Sequence, residues 1–400
     1  MWHAVLLSIT VTFTEINTIL PTMIIRVGGS ELHIGVMTAI MIGVPLAAQL
    51  LFAGYLHSRR MKKPFLLLGI NLRAAALVLI AFTLLNIAGF SFQAALLLIY
   101  GELLVFTISG AFASVSYVDI VGKSFSGDMR KRFFINKQIA SGGGILISAL
   151  AAREVLKRLE YPVNFFSLFL AAGIVLLIAS IGFYVIREKP AARVGRHPSF
   201  RDTLRSIPSL IKSDSNLRNY IIIVNLLGFG IVLLPFYISF ARQQYSLDPG
   251  MVGNLLLLQI LGMIASGFLW KYLVKRRGFK GILFSLALIG SVLPWLVFVF
   301  GTYFPFGVYL FIFLLSGSGL SAQKITVEAV LVEISTDENR ALYSGIIGTF
   351  NITIAVFPIL IGALLSVVGY LPLFSAAGIL AVASFLFIRK LVCPIDTADN

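Results

Sequence analysis

A few ionisable side chains interrupt the long apolar stretches of this chain, and their types and depths suggest proton chemistry. Glu15, Glu102 and Glu328 each lie inside such a stretch, and Lys324 comes four residues before Glu328. Removal from water disfavours the charged form of a carboxyl group, so these acids could bind a proton on one side of a barrier and release it on the other. They are predicted to couple protons, with Glu15 as the main candidate. The alternative is structural: Glu15 is a protonated acid bonded to a neighbouring helix.

Lys324 and several neutral polar residues in the same stretches predict the lining of a solute cavity. Lys324 shares a helix face with Glu328 and either neutralises it, reaches Glu102 or Glu15, or holds an anionic group of a substrate. The predicted cavity residues are Asn17, Asn225, Tyr237, Gln259, Gln323, Lys324 and Asn351.

The elements that position these residues are predicted to be membrane-spanning helices. The 400 residues are 58% hydrophobic and only 12% charged, against roughly 25% charged residues in soluble domains. This composition excludes an ordinary soluble enzyme, a disordered protein and a disulfide scaffold. Twelve segments are long enough to cross a bilayer as helices: 4–25, 34–57, 64–87, 92–120, 131–152, 163–186, 218–241, 249–273, 279–300, 304–333, 340–366 and 369–390. The predicted fold class is therefore an all-α membrane protein with twelve transmembrane helices.

The distribution of positive charge predicts the orientation of these spans. Most of the 32 lysines and arginines lie in connections that follow even-numbered spans or at the C-terminal end. The positive-inside rule then places both termini in the cytoplasm, as a multi-pass protein of the inner or plasma membrane. Arg73, two turns into span three, is expected to snorkel toward the same face. The net charge of +15 is therefore attributed to the side of the protein that faces the inner leaflet of the membrane. No nucleic-acid partner is expected.

The chain also shows signs of an internal repeat. Leu20-Pro21 precedes Gly54 by almost the same distance as Leu234-Pro235 precedes Gly267, and each glycine is followed by a basic cluster. The longest connection, 187–217, divides the chain into an N-terminal six-helix bundle, 1–186, and a C-terminal bundle with a short tail, 218–400. This connection reads as a basic cytoplasmic linker, either solvated or partly an interfacial helix. Two six-helix repeats with a site between them are typical of transporters.

The loop from Gly54 to Lys63 resembles a loop motif of the major facilitator superfamily. That motif reads glycine, any, leucine, any, aspartate, arginine, any, glycine, arginine, lysine; here glycine, leucine, the first arginine and the final lysine match, while Ser58 and Met61 depart. The resemblance implies two pseudo-symmetric six-helix bundles, with spans one, four, seven and ten around a central cavity. It also implies a cytoplasmic gate at Gly54, Arg59, Arg60, Lys63 and Asp119, where Asp119 pairs with an arginine in place of the missing aspartate. Alternatively, the arginines only set topology.

The predicted function is secondary active transport of a small organic solute by alternating access, coupled to protons. The alternatives are a proton-independent facilitator and a non-transporting membrane receptor. No phosphate-binding loop of the ATPase type, nucleophile motif or metal cluster is found among the four histidines and one cysteine, so neither enzyme activity nor a cofactor nor a metal is expected. The expected partners are a small-molecule substrate, protons and the lipid bilayer, and the chain is expected to be a monomer.

Overall fold

The computed structural model describes residues 2–48, 61–124, 127–185, 200–335 and 350–392, together with 52, 59, 188, 343 and 346–348. Side chains are described for these residues except at 118, 119, 121–124, 127–139, 200–206, 328, 332, 352 and 353. In this part of the chain, every regular element is a helix. Two compact units are formed: residues 1–33, 37–197 and 248–257 make the first, and residues 34–36, 198–247 and 258–400 make the second.

Seven α-helices of eight or more residues are described for the first unit, although residues 34–36 of the third group with the second unit. They are α1 (Trp2–Phe13), α2 (Ile19–Arg26), α3 (Glu31–Thr38, followed by a π-helical turn Ala39–Gly43), α4 (Lys63–Leu85), α5 (Phe92–Ser124), α6 (Gly127–Arg158) and α7 (Val163–Val185). Helix α4 packs on α5 and α7, and α1 packs on α6 and α7. Gly144 permits the close approach of α1 and α6, because a Cβ there would lie 3.1 Å from the carbonyl oxygen of Val5.

The described helices of the second unit are α8 (Phe200–Ser213), α9 (Ser215–Val232), α10 (Leu234–Tyr245), α11 (Pro249–Tyr303), α12 (Phe306–Ile334), α13 (Ile352–Val368) and α14 (Tyr370–Lys390). The first turns of α11, up to residue 257, group with the first unit. Helix α9 packs on α13 and α14. Helix α11 covers predicted spans eight and nine, and it is interrupted at Gly278, whose φ of +61° lies in the left-handed region. Glycine adopts this conformation without steric cost, which explains the break.

The helices identify a multi-pass membrane protein. Among the described residues, eight helical stretches are long and apolar enough to cross a membrane: Glu31–Ala48, Lys63–Leu85, Phe92–Tyr117, Val163–Val185, Ser215–Tyr245, Pro249–Tyr303, Phe306–Leu331 and Tyr370–Lys390. Large apolar side chains point outward from them, such as Leu97, 71% exposed, and Phe268, 78% exposed. Lipid rather than water suits such surfaces. The all-α membrane fold class is confirmed, while the count of twelve spans is only partly reproduced.

Spans one and seven are broken, although the sequence predicted continuous helices over 4–25 and 218–241. Span one stops at Phe13 and resumes as α2, while span seven turns at Leu233 between α9 and α10. In both places the new helix carries a proline in its first turn, Pro21 and Pro235. Proline lacks an N–H and fits best in the first turn of a helix, so a break just before it is favoured. The two Leu-Pro pairs of the sequence repeat therefore mark the same local feature.

The linker contains a helix whose apolar side faces the second unit. Ile207 on α8 is buried in the core of that unit, and Leu210 and Ile211 pack against the same core. The sequence left the conformation of 187–217 open, and the structure shows a helix over Phe200–Ser213. Contact of this helix with the membrane surface stays a prediction.

Candidate functional site

Glu15 occupies the break between α1 and α2, and its carboxylate is held by three donors. Oε2 accepts from the backbone N–H of Asn17 at 2.7 Å and from the Thr18 hydroxyl at 2.9 Å, and Oε1 accepts from the Asn17 amide at 2.9 Å. These donors lie at the start of α2, where unpaired N–H groups give a helix a positive partial charge. The break thus provides a cradle for one negative charge inside a predicted span.

The threonines around Glu15 turn their hydroxyls to their own backbone. Thr14 donates to the carbonyl of Thr10 at 2.9 Å, and Thr22 donates to the carbonyl of Thr18 at 2.7 Å. Such bonds to the preceding turn are common for threonine within helices. Of the threonines at four-residue spacing, only Thr18 contacts the acid. Asn17, which is 5% exposed, is therefore the main neutral partner of Glu15.

Glu102 lies on α5 and is bound from α4. The Thr83 hydroxyl donates to its Oε1 at 2.7 Å. Its Oε2 is buried and has no hydrogen-bond partner among the described residues. Glu15 and Glu102 therefore have separate sets of partners within the first unit.

Three predicted cavity residues in the second unit have buried polar atoms that lack partners. Gln259 on α11 is 1% exposed, and neither atom of its amide is hydrogen-bonded within the described residues. The same holds for the hydroxyl of Tyr237 and for Oδ1 of Asn351, the residue before α13. Buried polar groups normally have a partner. These three side chains thus have unused capacity to bind a solute or water.

Other predicted cavity residues have structural neighbours or lie at the surface of their unit. The Asn225 amide donates to the carbonyls of Ile221 and Phe350, both at 2.9 Å, which joins α9 to the residues before α13. Gln323 is half-buried on α12, and Lys324 is exposed there. The side chain of Glu328 lies outside the described set, so its pairing with Lys324 remains a prediction.

The predicted cytoplasmic gate is described only in part. Gly54, Arg60 and the side chain of Asp119 lie outside the described residues, and Arg59 is exposed. Lys63 is the first residue of α4, and its Nζ donates to the carbonyl of Tyr184 at 2.7 Å. The expected pairing of Asp119 with an arginine therefore remains a prediction.

Glu188, which the sequence did not single out, caps the start of α4. Its carboxylate accepts from the backbone N–H of Lys62 at 2.8 Å and from that of Lys63 at 2.7 Å. A carboxylate at a helix N-terminus satisfies unpaired donors and complements the helix dipole. The partners are separated by more than a hundred residues, and the only signal in the sequence is an acid inside a basic stretch, Arg187-Glu188-Lys189.

Asp214 has the corresponding role at the other end of the linker. Its Oδ1 accepts from the backbone N–H groups of Asn216 and Leu217, which begin α9, at 2.8 and 3.0 Å. Its Oδ2 accepts from the Tyr343 hydroxyl. An acid thus fixes the start of a helix at each end of segment 187–217.

A metal site is not formed by the described residues. No three histidine, cysteine, aspartate or glutamate side chains in this part of the chain come close enough together to hold an ion.

Comparison with known proteins shows a family similarity over the second half of the chain and a shared fold over nearly all of it. Residues 220–396 match the family described as Major Facilitator Superfamily. No curated protein sequence matches the chain. Among solved structures, the fold is similar to that of a POT family transporter in complex with 5-aminolevulinic acid, with TM-score 0.73 and 12% identity over 98% of this chain and 96% of the other. It is similar to a D-xylose-proton symporter, with TM-score 0.73 and 14% identity over 98% and 96%.

The nucleoside transporter NupG is also similar, with TM-score 0.70 and 13% identity over 98% of both chains. Identities this low establish the fold and leave the solute of this chain open. The family match over the second half and the shared fold over nearly the whole length agree with the sequence motif in the first half. Residues 220–396 are thus similar to the Major Facilitator Superfamily, and the fold over nearly the whole chain is that of known membrane transport proteins, with the subfamily unassigned.

Proposed function

We propose that the protein is a secondary active transporter of a small organic solute, coupled to protons through Glu15. The observation that carries this proposal is the position of Glu15 at a break in the first span, where three donors of its own segment hold the carboxylate. Discontinuous helices whose N-terminal ends face a charged group are a recurring design of transporter sites.

Protonation of Glu15 would change the contacts at the break. Oε2 accepts two hydrogen bonds, from Asn17 and Thr18, and hydrogen bonds to a charged acceptor are about twice as strong as neutral ones. A proton on Oε2 removes the charge and turns that oxygen into a donor, which weakens both contacts. The angle between α1 and α2 then becomes easier to change, and this links proton binding to a rearrangement of span one.

The relatives in fold support the kind of activity. One is named a D-xylose-proton symporter, another was solved with 5-aminolevulinic acid, and a third is a nucleoside transporter. All three handle small solutes, so we propose a small organic solute here, moved by alternating access of two six-helix halves. The protein acts as a monomer in the cytoplasmic membrane, with both termini in the cytoplasm, in accord with the distribution of its basic residues.

One observation favours a second candidate, a proton-independent facilitator. The Glu15 carboxylate has a full set of local donors, as expected for an acid that serves only to cap α2. In that case Glu15 would remain charged throughout the cycle and would stabilise the break without carrying a proton.

Proteoliposomes with a trapped pH dye separate the candidates. D-xylose, uridine and 5-aminolevulinic acid serve as first probes, and labelled solute is followed together with lumenal pH. A proton symporter acidifies the lumen as solute enters. A facilitator moves labelled solute without a pH change, and a receptor is stabilised against heating by a solute that it never moves; either result would contradict the proposal.

A further inference from the structure

Among the described side chains of the first unit, Arg73 is the positive charge that lies deepest within a predicted span. It follows the first residue of α4 by about ten residues, or roughly 15 Å along the helix axis, which is half the thickness of a bilayer core. The guanidinium lies against the neighbouring helix α5, and its snorkelling toward the cytoplasmic face stays a prediction. It lies over the ring of Phe106 on α5, with Cζ 4.2 Å from the ring centre. A Cβ on Gly110 would be only 3.3 Å from Cζ, so the glycine makes room for it.

This guanidinium has no acidic partner in the described part of the chain. Its Nε is buried and lacks a hydrogen-bond acceptor there, and the ring of Phe106 is the one interaction that the side chain makes with described residues. Arg73 as a whole is half-buried, and a cation held partly away from water is unfavourable unless an anion or several acceptors accompany it. The contact with an aromatic ring offsets only a small part of that cost. The position therefore calls for an anionic partner.

Two cavities of the first unit open onto Arg73. The larger has a volume of about 260 Å³ and the smaller about 150 Å³. The larger one combines polar side chains, His3, Ser114 and Tyr117, with an apolar wall contributed by α1, α4 and α7. The smaller one is closed by residues of the π-helical segment, including Met41. Space beside the charge is thus available, and one side of that space is apolar.

We propose that Arg73 and the larger cavity bind an amphiphilic organic anion, a carboxylate or phosphate carried on an apolar body. The planar guanidinium can bind such a head group through two parallel hydrogen bonds, and the apolar wall accommodates the body. Drug-sized ligands occupy pockets of roughly 300–1,000 Å³, so a cavity of about 260 Å³ suits a short chain. The site belongs to one unit and does not depend on proton coupling at Glu15.

Binding of octanoate to the purified full-length protein, measured by calorimetry, tests this site. Octanol has the same chain without the charge, and acetate has the charge without the chain. Octanoate is expected to bind saturably and the two others are not. Arg73→Gln is expected to weaken octanoate binding at least about tenfold, because a hydrogen-bonded charge pair is lost, and Arg73→Lys is expected to weaken it less. Arg242→Gln, at an exposed arginine of α10, should retain the wild-type affinity.

Equal binding of octanol, or unchanged octanoate binding by Arg73→Gln, would overturn the proposal. If Arg73→Gln does not fold, the wild-type protein is photolabelled with a diazirine derivative of octanoate instead. Labels on α1, α4 and α5 that octanoate removes and octanol does not would support the site, and labels confined to other helices would refute it. Native mass spectrometry then shows whether the anion that binds at Arg73 is a lipid or a free organic acid. A co-purified anionic phospholipid that octanoate displaces indicates a lipid ligand, and octanoate binding without such a lipid indicates a free organic acid.

Discussion

At the scale of single residues, the sequence identified the acids but not their partners. Glu15 was expected in the middle of a continuous helix, where Asn17 would point to a different side. In the structure the helix is broken, and both the backbone and the side chain of Asn17 donate to Glu15. The prediction failed in this respect because helical periodicity holds only where the helix continues. Residue type and depth were readable from the sequence, whereas contacts made through irregular backbone were not.

The bond between Thr83 and Glu102 yields a prediction that does not depend on transport. Thr83→Val removes the hydroxyl that Glu102 accepts from, and a double-mutant cycle with Glu102→Leu should give a coupling of roughly 1–3 kcal/mol in the free energy of unfolding. Thr326→Val is the control, because that hydroxyl bonds to its own helix at Ala322 and should show no coupling to Glu102. Additive effects of Thr83→Val and Glu102→Leu would refute the contact.

At the scale of elements, apolar runs predicted the helices well, because lipid leaves no other way to satisfy the backbone. The breaks in spans one and seven were missed, although Pro21 and Pro235 mark them, because a proline is also tolerated inside transmembrane helices. The cap of α4 by Glu188 was missed for another reason. Its two partners are far apart in the chain, and hydropathy carries no information about long-range pairing.

Glu188 is expected to hold the first turn of α4. Glu188→Gln leaves a neutral cap. It should lower the free energy of unfolding by about 1 kcal/mol, because the interaction between the charge and the helix dipole is lost. Amide hydrogen exchange at the start of α4 should become faster, while exchange at the start of α9, which Asp214 caps, stays unchanged. As a control, Glu154→Gln breaks an exposed ion pair with Arg158 and should leave α4 unaffected. Unaltered exchange at α4 in Glu188→Gln would show that the cap has no energetic role.

At the scale of the whole molecule, composition predicted an all-helical, multi-pass membrane protein, and the apolar helices and the fold confirm it. The helical, multi-pass character follows from composition alone, since so few charged residues cannot cover a soluble domain of this size. The identity of the solute does not follow. Specificity depends on which polar atoms remain unpaired, such as those of Gln259 and Tyr237, and only three-dimensional packing reveals them.

The proposed topology can be tested with the single cysteine of the chain. Cys393 follows the last span and is expected on the cytoplasmic side, so a membrane-impermeant maleimide should label it only in inverted vesicles. In a Cys393→Ser background, Thr302→Cys, placed at the end of span nine, should be labelled only from the opposite side. Labelling of both positions from the same side would refute the assigned orientation.

The central claim is that Glu15 is the group through which protons drive transport, and solute uptake into proteoliposomes tests it most directly. Uptake is measured with and without an inwardly directed proton gradient, for the wild type, for Glu15→Gln and for Glu160→Gln, an exposed acid outside the spans. The account predicts that Glu15→Gln still exchanges solute at equal concentrations but gains nothing from the gradient, while Glu160→Gln behaves like the wild type. Full gradient-driven accumulation by Glu15→Gln would contradict it.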